Sequence, residues 1–466
     1  LEAIKKSKST FRLLLVIGCL FFSSFYIDLW HTPNPVSRAL PVLTFQESGS
    51  LEITPYAKVS MDKSKVGDKY YSDKAPLPTL LTIPVYEVFS WFGIDQWNYE
   101  DKVYKGAPIW YKKLSLIIFI GAILTASIPF ALLVFLSISL SKTNFNFKPT
   151  LVILSFFGTY LWIYSGTFFN HIISGLFIVL SLYFAFYNRK RFLSGFFVAC
   201  AFMSEYTLGL FAVLIPILML LNKNKIKEVV FFGLGLLPLF IVFLIYNYQI
   251  TNDAFTFVFY HTNYEDFSKG IKQNYGFGLP SLASIYGLLL SPYMGLLLFF
   301  PPLIFWFRKW WKEQKVELFK NGIFISFLAL FILISCYFIW WGGYSWGPRY
   351  LIPAACILAF FSPQLWESVQ RKKLALIVLI GSFVPNFLAK STVLFLIPDR
   401  LSKEGEASFP FSEIVWKAVK EGSFNNNNWL SFSFDIPPFF SALFCFTAFA
   451  LWLIAVERTY QKAYLK

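Results

Sequence analysis

Charge is scarce in this sequence. Only 14% of its 466 residues are Asp, Glu, Lys or Arg, against about a quarter in a soluble globular domain. No polar stretch is long enough to be a separate aqueous domain; the longest lie at about 31–113 and 398–437. The five cysteines (Cys19, Cys200, Cys336, Cys356, Cys445) all sit inside apolar runs. No pair has metal-site spacing, which argues against a zinc site or a disulfide framework. There is no Asn-x-Ser/Thr sequon, no Asp-x-Asp in the first long loop, and no repeat relating the two halves. The missing repeat disfavours a transporter, since many are built from repeats.

Apolar runs are abundant: 56% of residues are hydrophobic and 21% aromatic. A bilayer-spanning helix needs about 20 predominantly apolar residues. The pattern gives an all-α polytopic membrane protein with about twelve spans, near 13–30, 114–140, 150–167, 171–187, 192–207, 208–222, 229–247, 281–306, 322–341, 349–362, 374–393 and 438–456. The first follows Lys5, Lys6, Lys8 and Arg12 with no small-residue cleavage site after it, and reads as a retained helix. Residues 76–93 are apolar but proline-rich and read as lying at the interface. Twelve spans put both termini on one side. If that side is cytoplasmic, its loops hold 23 of the 41 basic residues and 6 of the 26 acidic ones. This is the asymmetry of the positive-inside rule. The net charge of +15 is thereby explained by orientation, without a nucleic-acid partner.

The unusual polar residues collect on the other, outer side. His31, His171, His261 and Glu205 lie there, as do the loops 31–113 and 249–280. Each has two readings. Arg349 opens a span, where arginine reaches for headgroups, yet it follows a glycine- and aromatic-rich turn suited to close ligand approach. Asn170 and His171 are a helix cap or a binding pair. Glu205 faces outer water or a ligand, and Lys74 is a solvated loop charge or a phosphate ligand. Five acids (Glu47, Glu52, Asp62, Asp68, Asp73) interleave with cations in the first loop, and most of them are simply hydrated. The aromatics Trp340, Trp341, Tyr344 and Trp346 suit an interfacial belt better than sugar stacking.

Taken in order, several of these elements resemble GT-C-fold glycosyltransferases of the bacterial family 39-like branch, which includes protein O-mannosyltransferases and the lipid A aminoarabinose transferase. They are Arg38, then Glu47 and Gly49, then Tyr71-Ser72-Asp73-Lys74-Ala75-Pro76-Leu77, Phe169-Asn170-His171, Ser204-Glu205-Tyr206, Tyr286–Pro292 and Gly342–Tyr350. The resemblance implies a first module, 1–248, containing the 31–113 loop with short interfacial helices, and a C-terminal module, 249–466. It implies a polyprenyl-phosphate sugar donor and a lipid, glycan or protein acceptor, joined at the periplasmic face of a bacterial inner membrane. Donor phosphate falls to Arg38, Lys74, Arg349 and Tyr71. Sugar or acceptor hydroxyls fall to Asn170, His171 and Glu205. Some relatives use a divalent metal, and nothing in the first loop marks a site for one. The family carries an Asp-Glu pair just before the arginine, with the aspartate as general base; here Pro33–Ser37 holds no acid. Asp62, or failing it Glu47, is then the base. A transporter or flippase of lipid-linked glycans, or a non-catalytic binder of them, is the alternative.

Overall fold

Stretches this apolar bury their backbone polarity in helices, since lipid offers no hydrogen bonds. The computed structural model describes residues 2–94, 108–140, 147–313, 321–343, 345–392 and 409–464. Tyr344 and the start of the expected 398–437 loop lie outside them. Among the described residues, five helices have the length and hydropathy to cross a membrane: Ser7–Ser24, Ile109–Ser139, Ile226–Thr251, Lys372–Ser391 and Pro438–Tyr464. Shorter apolar helices run over Arg191–Ser204, Tyr206–Leu221, Gly322–Ser335 and Arg349–Phe360. The protein is an integral membrane protein. The stretch expected as a single span over 281–306 is instead three helices, Leu282–Leu289, Leu296–Phe299 and Pro302–Lys312. Pro292, Pro301 and Pro302 lack the N–H that a continuous helix needs there. The apolar 76–93 segment forms a helix over Leu77–Trp91, and 15 residues reach only about 22 Å.

One compact unit comprises residues 1–27, 127–166 and 279–466. Its Glu2–Ser24 and Pro438–Tyr464 helices touch at Gly18, where an added Cβ would lie 2.0 Å from Trp452 Nε1. That indole donates to the Leu14 carbonyl at 2.9 Å. Trp162 stacks against Phe383, Phe387 and Phe449. Beside it, buried Lys390 donates to the Trp162 and Ile163 carbonyls at 2.5 and 3.2 Å.

The second unit comprises residues 28–126 and 167–278. The Pro33–Ser48 helix ends at Gly49, whose φ of 68° is the left-handed stop that glycine supplies without strain. A two-stranded antiparallel hairpin follows, Ser64–Val66 with Lys69–Tyr71. The hairpin is tied to the 249–280 loop by a bridge from Ser64 to Thr262 and a bond from Asn263 N–H to the Lys63 carbonyl at 2.8 Å. The helices Arg191–Ser204 and Ile226–Thr251 pack at a reciprocal glycine pair. A Cβ on Gly195 would lie 1.9 Å from the Phe232 carbonyl, and one on Gly235 would lie 2.0 Å from that of Phe192.

Candidate active site

The second unit gathers most of the polar residues singled out in the sequence. Arg38 lies one turn into the Pro33–Ser48 helix, only 2% exposed. Its guanidinium donates to the Asn34 carbonyl at 3.2 Å and to the Asn34 side chain, and Nη2 donates to Asn170 Oδ1 at 2.5 Å. Asn170 precedes the His171–Leu182 helix but its side chain caps nothing there. It turns away and donates to Glu205 Oε2 at 3.2 Å. The capping alternative for Asn170 is therefore set aside.

Glu205 ends the Arg191–Ser204 helix in extended backbone, φ −154° and ψ 108°, which swings its carboxylate inward. It is 7% exposed, so the alternative of a water-facing carboxylate also falls. Its Oε2 accepts from Asn170, stands 3.0 Å from His171 Nδ1 and accepts from Ser174 Oγ at 2.8 Å. Ser174 lies one helical turn beyond Asn170, on the same face. The chain Arg38–Asn170–Glu205–His171 is a buried, oriented polar network of the kind that costs much free energy when incomplete.

A second cluster forms where the first loop turns into the Leu77–Trp91 helix. Lys74 Nζ stands 2.9 Å from Asp62 Oδ2 and 3.0 Å from Asp73 Oδ1. Lys74 is thus a bridged cation and not a solvated loop charge. Burial raises the Asp73 carboxyl above its ordinary value, with Lys74 and Arg38 opposing. Burial works against the charge of Lys74, and Asp62 and Asp73 more than offset it, so its ammonium is held. Ser37 Oγ reaches Ser72 Oγ at 2.9 Å and Asp73 Oδ1 at 3.4 Å. Thr79 donates to the Arg38 carbonyl at 3.0 Å. The charge of Arg38 acts on both Asp73 and Lys74, so the two groups form one electrostatic site.

Asp73 was missed as a candidate although it was among the five loop acids. It stands beside Ser37, whose hydroxyl donates to its Oδ1 at 3.4 Å. Tyr71 stands on the second hairpin strand, partly buried, and burial raises its hydroxyl, which keeps it a donor. Glu47 is exposed and its two oxygens accept from Tyr56 at 2.9 and 3.0 Å. Arg349 belongs to the other unit. There its guanidinium carbon lies 5.3 Å from the Tyr350 ring, and its side chain runs beside Gly342, whose φ is 78°. His31 is bonded to Ser115 at 2.6 Å, and burial lowers its pKa to about 4. Among the described residues no three His, Cys, Asp or Glu side chains group as metal ligands. Asp62 and Asp73 face an ammonium instead.

No family model matches the chain, and no curated protein matches it. Solved structures do. Over 98% of its length the chain superposes on 77% of ArnT from Cupriavidus metallidurans bound to undecaprenyl phosphate, with a TM-score of 0.52 at 12% identity. The fold is ArnT-like. The apo state of the same protein aligns over 98% of this chain and 76% of its own, at 13% identity and a TM-score of 0.48. At such identity the likeness is one of fold, and it gives the chain the GT-C-like architecture that the ordered sequence elements resemble.

Proposed function

We propose that this protein is a membrane glycosyltransferase that moves a sugar from a polyprenyl-phosphate donor to a lipid, glycan or protein acceptor. The observation that carries the reading is a site in which the buried Arg38 and the partly buried Lys74 are interleaved with the carboxylates Asp62, Asp73 and Glu205. It sits in a fold whose neighbour ArnT was solved with undecaprenyl phosphate. The charge pattern of the loops supports twelve spans, an extracytoplasmic site and an inner-membrane location with both termini cytoplasmic.

In this mechanism the acceptor hydroxyl attacks the anomeric carbon while the bond from that carbon to the phosphate oxygen breaks. Polyprenyl phosphate leaves, and its developing charge is met by Arg38 and Lys74, with Tyr71 donating. Asp62, the more exposed of the two acids on Lys74, takes the acceptor proton. Donor phosphate competes with Asp62 for Lys74, so the carboxylate is released as a base when the donor is bound. Asn170, His171 and Glu205 hold Arg38 in place and present hydrogen-bonding groups to hydroxyls. No step requires a metal.

The test is transfer of labelled sugar from a panel of polyprenyl-monophosphate donors in proteoliposomes, with membrane extract as acceptor. Wild type, Asp62→Asn, Asp73→Asn and Glu47→Gln are run together. Turnover that falls about 10²–10⁴-fold in Asp62→Asn with folding intact supports the reading. Loss in Glu47→Gln alone would move the base to the exposed carboxylate. Donor binding without turnover by wild type would favour the non-catalytic reading, to which the acid-free Pro33–Ser37 stretch points.

A further inference from the structure

At the opposite end of the Arg191–Ser204 helix from Glu205, the second unit has a cavity of about 390 Å³ where the starts of the Arg191–Ser204 and Ile226–Thr251 helices pair. The Gly195–Gly235 crossing fixes the spacing of these helices, because neither position has room for a Cβ. Arg189, Lys190, Arg191 and Lys227 line the cavity with a single acid, Glu228. Arg191 is 6% exposed. Its Nε and Nη2 donate to Glu228 Oε2 at 2.8 and 2.6 Å, and Nη2 also donates to Asn224 Oδ1 at 2.5 Å. Its Nη1 is buried and has no hydrogen-bond partner. A buried guanidinium donor without an acceptor costs free energy until one arrives.

Glu228 answers Arg191, so Arg189, Lys190 and Lys227 remain as excess charge, all exposed. The Arg191–Ser204 helix begins without a side-chain cap or an acid in its first turn, so its first N–H groups add to the positive field. The cavity walls include Phe192 and Phe231, 43% and 45% exposed. A free anion gains nothing from exposed aromatic rings, whereas an acyl-bearing phosphate packs its glycerol and upper chain against them. Basic pockets between membrane helices bind lipid headgroups in this way.

We infer that this cavity binds the phosphate headgroup of an anionic membrane phospholipid, with Arg191 Nη1 as its buried donor and Arg189, Lys190 and Lys227 as its charged rim. The inference stands independently of the transferase reading.

The experiment is native mass spectrometry of the full chain, titrated with short-chain phosphatidylglycerol, phosphatidylcholine or inorganic phosphate. Wild type is compared with Arg189→Gln/Lys190→Gln/Lys227→Gln, which spares the structural Arg191. A control removes three consecutive cations elsewhere, Arg371→Gln/Lys372→Gln/Lys373→Gln. Wild type is expected to bind phosphatidylglycerol at least tenfold more tightly than phosphatidylcholine. The rim variant should weaken phosphatidylglycerol on the order of a hundredfold, while the control changes it less than threefold. Equal losses in the two triple variants, equal binding of the two lipids, or inorganic phosphate that phosphatidylglycerol does not displace would each overturn the assignment.

Discussion

Replacing Lys74 by glutamine leaves Asp62 and Asp73 facing the space its ammonium held, 2.9 and 3.0 Å from the two carboxylates. Asp73 is 5% exposed, so water cannot take over. Removing one partner of a buried pair costs about 3–5 kcal/mol. Lys74 keeps 17% of its surface, which puts the loss at the lower end, about 3 kcal/mol. The sign with pH follows from Asp73. Its carboxyl already titrates above the ordinary range because it is buried, and losing Lys74 raises it further. A carboxyl raised in the folded state disfavours folding once pH exceeds its unfolded value, so the deficit is full only above the raised value. It shrinks as pH falls through that value toward the unfolded one of about 4. Asp73→Asn/Lys74→Gln removes the stranded charge and should recover all but about 1 kcal/mol. Chemical unfolding in mixed micelles, followed by tryptophan fluorescence from pH 4.5 to 8, reads both effects. A double variant as unstable as Lys74→Gln, or a deficit independent of pH, would refute the account of Asp73 as a buried charge held by Lys74.

Arg38→Lys keeps the charge but loses the planar fork shared between Asn34 and Asn170; donor binding measured by competition should weaken about 10–100-fold. Glu205→Gln replaces a charged acceptor of three bonds by a neutral one and should cost about 2–3 kcal/mol in the same unfolding assay, with Glu205→Ala costing more. Gly235→Ala should destabilise by about 1–3 kcal/mol because its Cβ meets the Phe192 carbonyl. Gly233→Ala, with nothing within 4 Å, should stabilise the same helix by up to about 1 kcal/mol.

Membrane class was legible because hydrophobicity is a local property that survives without tertiary information. Asn170, His171 and Glu205 were legible because each is a polar residue at the end of an apolar run, and such positions are expensive unless used. Their meeting with Arg38 was legible only through the resemblance. Asp73 was not distinguishable from Glu47, Glu52 or Asp68, since a charge-dense loop looks uniformly hydrated until the chain folds. Burial beside Ser37 then separates Asp73 from Glu47, which ends on the surface with Tyr56. The break-up of 281–306 was written in Pro292, Pro301 and Pro302, but strong hydropathy on both sides masked it.

The short hairpin in the first loop has a practical consequence. Its turn is Gly67–Asp68, both exposed, with Gly67 at φ 59° and the ladder from Val66 to Lys69 closing behind it. Because the strands are held from the side by residues 262 and 263, the tip is anchored without carrying packing of its own. A peptide epitope spliced between Gly67 and Asp68 would therefore protrude while leaving Lys74 and Arg38 in place. Antibody access to it in sealed cells or inverted vesicles would report which aqueous compartment the loop occupies, with the protein otherwise intact.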